Sequence, residues 1–582
     1  MNVEIIRFLK HLTSPAVRAL LFVSLATTPA AAMPTITSPE WIPGFDMLGR
    51  GNLLGGRVTF ETDEAARPTV IVESATRRFV VPREGVTTPS PGTTHAVTVL
   101  GLRPDTAYRL EIRARTASGE TAVDRSVTFT TPELPEDYPH FDVTVREERR
   151  MEPGLTFLRV SGSTFDPFLG GLYVAVAADG TPVWIHRGYY LGLPEDAEML
   201  PNGDHLLLYF GPEPGDPDRL ISGSIHRVDR TGSGISTLYS SDAGYRIYHH
   251  EVEVTPWGNL LTLGQRLRFI GGYPDGAGCD FGICAVVGDE VVELNPDGTV
   301  AQDWSLFDIL DPHRIGEGFT ENFWDGIYLL LGTRDWTHTN AIVYDPRDDT
   351  LILSCRHQDI VFKMRRDTGE LVWVIGEDFP DTTGDDDWPF LTLIGDGSLP
   401  SHQHAPALVG DDRILIYDNG NATGVTRAVE YRVDPDAMTL EQTWEWIDPD
   451  YQPPLFAPSV GDVDVLPNGN VLVTDGNLPS DQPSMRVAEV DRATDDKVWE
   501  LFVRRTDLED GFFTGYRAER VPSLYGAGIE LCGGVPRSTG ILGVQVELEN
   551  VVKGSSPATV GDFAECLSDL GKSPPMENPG AR

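Results

Sequence analysis

Basic side chains are scarce in this sequence: 46 lysines and arginines stand against 88 aspartates and glutamates, a formal net charge of −42. A surface so acidic repels phosphate backbones and anionic lipid heads, which argues against nucleic acid or an anionic membrane as partner. Long hydrophobic runs are also lacking. The apolar stretch Ala19 to Ala26 is shorter than the ~20 residues that cross a bilayer, and no later segment approaches that length, so no membrane insertion is expected. Cysteine is rare, five in 582 residues. The spacing allows Cys279 to pair with Cys284 and Cys532 with Cys566 in an oxidising compartment, although connectivity stays open. Cys355 is left over and reads as a buried free thiol. No long amphipathic helix pattern is present, and acidic loops such as Asp385 to Asp387 lack the EF-hand spacing that would point to Ca2+.

What is present begins with an export signal over residues 1–32. Arg7, Lys10 and Arg18 precede the apolar run, and Ala30 to Ala32 supplies small residues for cleavage. A periplasmic or secreted protein is expected. Glycine (59) and proline (44) are spread along the chain, as many short strands joined by turns require.

The strand-like runs Thr69 to Glu73, Ala96 to Leu100 and Tyr108 to Ala114 place a separate unit at 33–133. The segment Leu102-Arg-Pro-Asp-Thr-Ala-Tyr108 resembles the tyrosine corner of fibronectin type III domains, which implies a β-sandwich there. Pro132 to Pro135 follows as a linker.

From residue 150 the chain repeats. A strand, a turn with Asp or Gly, and a strand ending in an aromatic residue recur six times, as in Asp179 to Trp184, Asp297 to Trp304, Asp367 to Trp373 and Asp495 to Trp499. A second hairpin alternates with the first, best formed at Val463 to Val473 and eroded in its sixth copy, around Tyr516 to Tyr525. Two hairpins per unit and six units predict an all-β chain: the sandwich, then a six-bladed β-propeller over 150–525, then a C-terminal extension over 526–582. The repeat tryptophans are assigned to blade cores.

In a propeller the innermost strands line a central channel. Counting ten residues back from Leu260 and Ile414 reaches His250 and His404, and eleven back from Leu351 reaches Asn340, with His338 two residues earlier on the same face. Three consecutive blades thus aim histidines at one channel, and Ser354-Cys-Arg356-His-Gln358 follows the third. Of the thirteen histidines, His249, His250, His338, His357, His402 and His404 fall in these segments. His249, His357 and His402 read as supports or rim residues, and Asn340 as a brace for a neighbouring strand.

Asp335-Trp-Thr-His338-Thr-Asn340, Ser354-Cys-Arg356-His-Gln358, Gln403-His404 and Asp418-Asn-Gly420 together resemble the bacterial arylsulfotransferases, over roughly residues 150–525. The resemblance implies an exported propeller that moves a sulfuryl group between phenols without a nucleotide or other cofactor, with His404 as covalent nucleophile and His250 as the second channel histidine. The chain departs from the family's pattern at Ala405-Pro406, where an acidic residue is common after the Gln-His pair.

The residue types suit that chemistry on their own terms. A neutral imidazole can attack sulfur, and the planar fork of Arg356 matches sulfuryl oxygens. His250 and His338 can donate to those oxygens or to the departing phenolate. A cationic cluster inside an acidic protein is what binding an anionic ester requires. Gly571-Lys572-Ser573 looks like the end of a phosphate loop, but Cys566 stands where the upstream glycine is needed.

Expected partners are phenolic sulfate donors and phenol acceptors, with homo-oligomer formation left open. Two other readings compete: a metal site on His402 with His404 and His249 with His250, and a non-catalytic ligand-binding propeller.

Overall fold

The computed structural model describes residues 33–526 apart from 46–50, 136–137, 163–170, 188–192, 212–221, 275–276, 280–281, 330–331, 379–387, 480–484 and 505–512. The export signal, the C-terminal extension beyond Gly526, Cys532, Cys566 and the Asp385 to Asp387 loop lie outside the described residues. No described helix is long and apolar enough to cross a membrane.

The chain divides into two compact units: Val58–Val97 and Tyr108–Phe129 with the segment up to Trp41, and Ile42–Arg57, Thr98–Ala107 and everything from Thr130 on. In the smaller unit Tyr108 is buried, and its ring stacks on Phe129, which stacks in turn on Trp41. The strands there are hydrogen-bonded into one network centred on residues 58–73, not into two separate sheets. The expected fibronectin type III-like sandwich is therefore not confirmed.

The larger unit is a β-propeller-like arrangement. Five antiparallel sheets follow one another along the chain, over 193–239, 248–305, 339–375, 404–446 and 462–504. The expected count of six is corrected to five. The strands Leu155–Gly162, Leu172–Val176 and Pro182–Arg187 do not stand as a sheet of their own. Ala518–Val521 pairs with the first of them, and the opposite edge passes from His186 and Arg187 to Asn52 and Gly51, which the sequence supplies from more than a hundred residues away.

The reason these segments make blades is local. In Leu200-Pro-Asn-Gly203-Asp, Thr255-Pro-Trp-Gly258-Asn and Leu466-Pro-Asn-Gly469-Asn, the glycine takes φ of 82°, 90° and 90°, which a residue with a Cβ resists. Its N–H donates back three residues, and the flanking pair closes the hairpin at 2.8 Å in each case. The strands then alternate. On Thr350–Cys355, Leu351 and Leu353 join the core shared with the preceding blade, while Ile352 joins the core shared with the following one.

The repeat tryptophans are buried or nearly so, and they also tie neighbouring sheets together. The indole N–H groups of Trp184, Trp304, Trp446 and Trp499 each donate, at 2.8 to 3.2 Å, to a carbonyl in a turn of the next sheet, at Arg230, Arg366, Asp495 and Ala178.

Candidate active site

The innermost strands begin with a break in regular pairing. The ladder slips between His249 and Val252, between Thr339 and Ala341, and between His404 and Ala407. Left-handed residues without the licence of glycine sit within two of these slips, His250 (φ 61°) and Ala405 (φ 45°), and just before the third, His338 (φ 44°). Such positions cost about 1–3 kcal/mol each and persist where the fold uses them to re-aim side chains.

The slips turn the three expected histidines toward one another. The ring of His250 lies 5.3 Å from His338 and 5.4 Å from Tyr516, and the ring of His404 lies 5.9 Å from Tyr516. Arg356 is close enough to shift the protonation of both His404 and His338. All four expected site residues are thus brought together.

The register that selected His250 is corrected. Val254 closes its hairpin with Leu260, whereas Val409 closes with Arg413, because the intervening turns differ in length. Counted from those pairs, His249 occupies the place of His404, and His250 matches the left-handed Ala405. His250 reaches the cluster through its backbone bend. His249 stands behind it, its Nδ1 2.7 Å from His250 Nδ1, its Nε2 3.4 Å from Asp289 and its ring against Trp324.

Each side chain is held in a defined chemical state. Asn419 donates its amide N–H groups to the carbonyls of Ala457 (2.8 Å) and Val460 (2.9 Å), so its Oδ1 must face His404 Nδ1, 2.6 Å away. The proton of His404 is thereby fixed on Nδ1, and Nε2 keeps a free lone pair. Burial, reinforced by the Arg356 guanidinium, holds His404 well below the ordinary imidazole pKa, so the ring is neutral. Burial does the same to His250, with His249 and His338 adding to it.

His338 is the exception. Burial opposes its charged form, but the Asp335 carboxylate 2.6 Å from Nδ1 outweighs burial, and the pKa is raised. Arg356 is buried and donates from Nη2 to the Pro458 carbonyl at 3.2 Å, and among the described residues it has no ion pair. Its 3-10 turn is pinned to the neighbouring strand by Arg356 N–H to His338 O and His357 N–H to Thr337 O, both 3.2 Å. An unpaired buried guanidinium is costly unless a ligand anion meets it.

The side chains around the cluster have partners of their own. His357 Nδ1 is 2.8 Å from the Asp335 carbonyl, and burial takes its pKa down to about 3. His402 is held by Asp359 at 2.9 Å. Asn340 donates to the Gln403 carbonyl at 2.8 Å, bracing the next strand. Cys355 is buried and free, and burial pushes its thiol up, away from a reactive thiolate. Cys279 and Cys284 form a disulfide.

The family model for arylsulfotransferase (ASST) matches residues 184–517, more than half of the chain and all four of these side chains. The chain belongs to the arylsulfotransferase family. Among curated proteins it is similar to the arylsulfate sulfotransferases AssT of Escherichia coli O6:H1, at 27% identity, and of Lelliottia amnigena, at 26%. Each match covers 27% of this chain and 34% of the relative, so it spans about a third of the relatives' own length. Among solved structures, the periplasmic gluconolactonase PpgL of Pseudomonas aeruginosa aligns over 62% of this chain and 99% of its own, at 12% identity and a TM-score of 0.32.

Several residues of the cluster are not legible in the sequence. Tyr516 was read only as part of an eroded repeat, yet its hydroxyl donates to the Asn340 carbonyl at 2.6 Å and its ring floors the cluster. Arg159 lies 4.9 Å over that ring. Arg517 grips both oxygens of Glu251, at 2.6 and 2.8 Å. Asn419 and Asp335 stood inside quoted motifs, but their roles follow only from the bonds they make.

Among the described residues two groups could gather ligand atoms for a metal: Asp335, His338 and His357, and Glu317, Asp359 and His402. Neither is the expected pairing of His402 with His404 or His249 with His250. In the first group Asp335 and His338 are already joined by a short hydrogen bond, which suits a proton held between them.

Proposed function

We propose that this chain transfers a sulfuryl group from a phenolic sulfate ester to a phenol through a covalent sulfohistidine on His404. The observation that carries the reading is the fixed tautomer of His404: Nδ1–H is committed to Asn419, leaving Nε2 as a nucleophile beside an unpaired guanidinium. In the first half-reaction Nε2 attacks sulfur and the bond from sulfur to the phenolic oxygen breaks. Arg356 and His250 hold the sulfuryl oxygens, and the departing oxygen takes the proton of protonated His338. In the second half the acceptor phenol returns a proton to His338, its oxygen attacks sulfur, and the N–S bond breaks. Donor and acceptor are chemically alike, so one site serves both directions.

Family membership supports the reaction class, and the geometry supports the roles. The basic, apolar and small-residue order of residues 1–32 supports an exported protein, periplasmic or secreted. The test is incubation with 4-nitrophenyl sulfate followed by intact-mass measurement. A gain of one sulfuryl group that disappears when a second phenol is added, and that never forms in His404→Asn, is the expected result. Absence of the adduct with turnover intact would overturn the covalent route, and absence of turnover would overturn the activity.

A further inference from the structure

Phe323 and Trp324 are adjacent in the chain and opposite in fate. Trp324 is 1% exposed and packs with Ile247, Val287 and Ile327, while Phe323 is 57% exposed. The segment that bears them is tied down. Asp325 accepts the N–H groups of Gly332 (3.0 Å) and Thr333 (2.7 Å) and the Thr333 hydroxyl (2.6 Å), and the Glu321 carbonyl accepts Asp335 N–H at 3.2 Å. An open phenyl ring is thus mounted on a fixed support.

That ring makes T-shaped contacts with Trp324, centroids 4.6 Å apart at 85°, and with His338, 5.7 Å away at 69°. Among the described residues it is the only exposed large apolar side chain whose ring contacts a histidine of the cluster. Exposing a phenyl ring forgoes the gain from burying it, and Phe323 belongs to none of the apolar cores. The two T-shaped contacts leave more than half of the residue open to a ligand. The ligand best placed to use it is an aromatic ring whose oxygen is at His338.

We propose that Phe323 forms the aryl subsite of the transferase, stacking first the ring of the sulfate donor and then that of the acceptor phenol. The proposal rests on the sulfuryl-transfer reading above. It assigns a selectivity for planar aromatic substrates to one exposed residue that touches substrate without taking part in bond making.

The test compares Phe323→Ala, Phe323→Leu and Phe323→Trp in steady-state transfer from 4-nitrophenyl sulfate, with melting temperature as a control on folding. Loss of the stacking face should raise KM roughly three- to tenfold in both Ala and Leu variants with kcat little changed, and Trp should restore it. Recovery by Leu as full as by Trp would reduce Phe323 to a generic apolar contact and overturn the proposal, as would an unchanged KM in Phe323→Ala. Wild-type protein that transfers no sulfuryl group would overturn the function and the subsite together. Active wild type with an indifferent Phe323→Ala variant removes the subsite alone.

Discussion

Two regions of the larger unit use its innermost strands for opposite ends. Around the starts of 248–254, 339–345 and 404–409, histidines gather with Arg356, whose guanidinium has no carboxylate paired to it among the described residues. Elsewhere the innermost strands carry carboxylates: Asp196 and Glu198 on 193–199, Glu251 on 248–254, and Asp462 and Asp464 on 462–465. Several of these satisfy the exposed edge of the next strand, with Asp196 accepting Val252 N–H at 2.9 Å, Glu198 accepting Val254 N–H at 2.7 Å and Glu251 accepting Ile342 N–H at 3.1 Å. There the arginine, Arg517, is paired: both its terminal nitrogens donate to Glu251, and Asp196 lies 3.6 Å away. The difference separates binding from building: a cation left unpaired awaits an anion from outside, whereas a cation gripped on both sides holds the protein together.

The sharpest way to break this contrast is to remove each arginine. Arg356→Ala should lower kcat/KM about 100- to 1000-fold, as loss of an aligned donor to a developing charge does, with melting temperature nearly unchanged. Arg517→Met should do the reverse. It strands Glu251 and Asp196, and breaking a buried pair costs about 3–5 kcal/mol, read as a large fall in melting temperature. Equal effects of both on activity per folded molecule would erase the distinction.

Asp335→Asn comes next. The variant keeps the shape but loses the charge that raises the pKa of His338, so kcat should fall about 10- to 100-fold. Because His338 must be protonated to serve the leaving phenolate, the alkaline fall in activity should begin at lower pH in the variant. An unmoved alkaline limb would remove His338 from proton transfer.

Smaller effects concern stability, and buried carboxyl groups and buried histidines should respond to pH with opposite sign. Burial raises the pKa of Glu198 to about 8, so its folded form keeps a proton that the unfolded chain has released. Its contribution is full below the ordinary glutamate value and is lost as pH rises toward 8. Glu198→Gln should therefore raise the melting temperature at pH 8 more than at pH 5.

Buried histidines run the other way. Burial takes His205 and His186 to about 3 and His226 to about 4. Their contribution is full above the ordinary value of 6.5 and is lost as pH falls toward 4. Wild-type melting temperature should decline on both sides of a maximum near pH 5 to 7, a shape that a scan in mixed buffers would reveal or refute.

Much of the site was legible because its residues announce themselves. Histidine is uncommon here, thirteen in all, and His338, Arg356 and His404 lie in short segments whose spacing survives repeat divergence. Even so, His250 was selected by a count that the unequal turns before Leu260 and Arg413 had shifted by one. It reached the cluster only because a left-handed bend, invisible in sequence, turned it inward. Tyr516 was hidden for a different reason. Its repeat is eroded, and its role as floor depends on Asn340 and Arg159, both far away in the chain.

The blade count failed because sequence periodicity reports strands and not their pairing. Gly51 and Asn52 carry no repeat signal, yet they extend the sheet that the sixth unit was expected to close alone. The tyrosine-corner segment likewise fixed a buried aromatic at Tyr108 without fixing how the strands around it divide into sheets.

The tryptophan links between sheets carry one last consequence. Each indole hydrogen bond crosses from one repeat to the next, so it adds nothing to a blade standing alone and something to every pair of neighbours. In an array whose stability is a sum of unit and junction contributions, such links move weight from the units to the junctions. A sheet that loosens therefore takes its neighbour's support with it, and the unit should melt as one body and not blade by blade. A residue conspicuous in sequence as filler thus acts as the coupling that makes five repeats fail together or not at all.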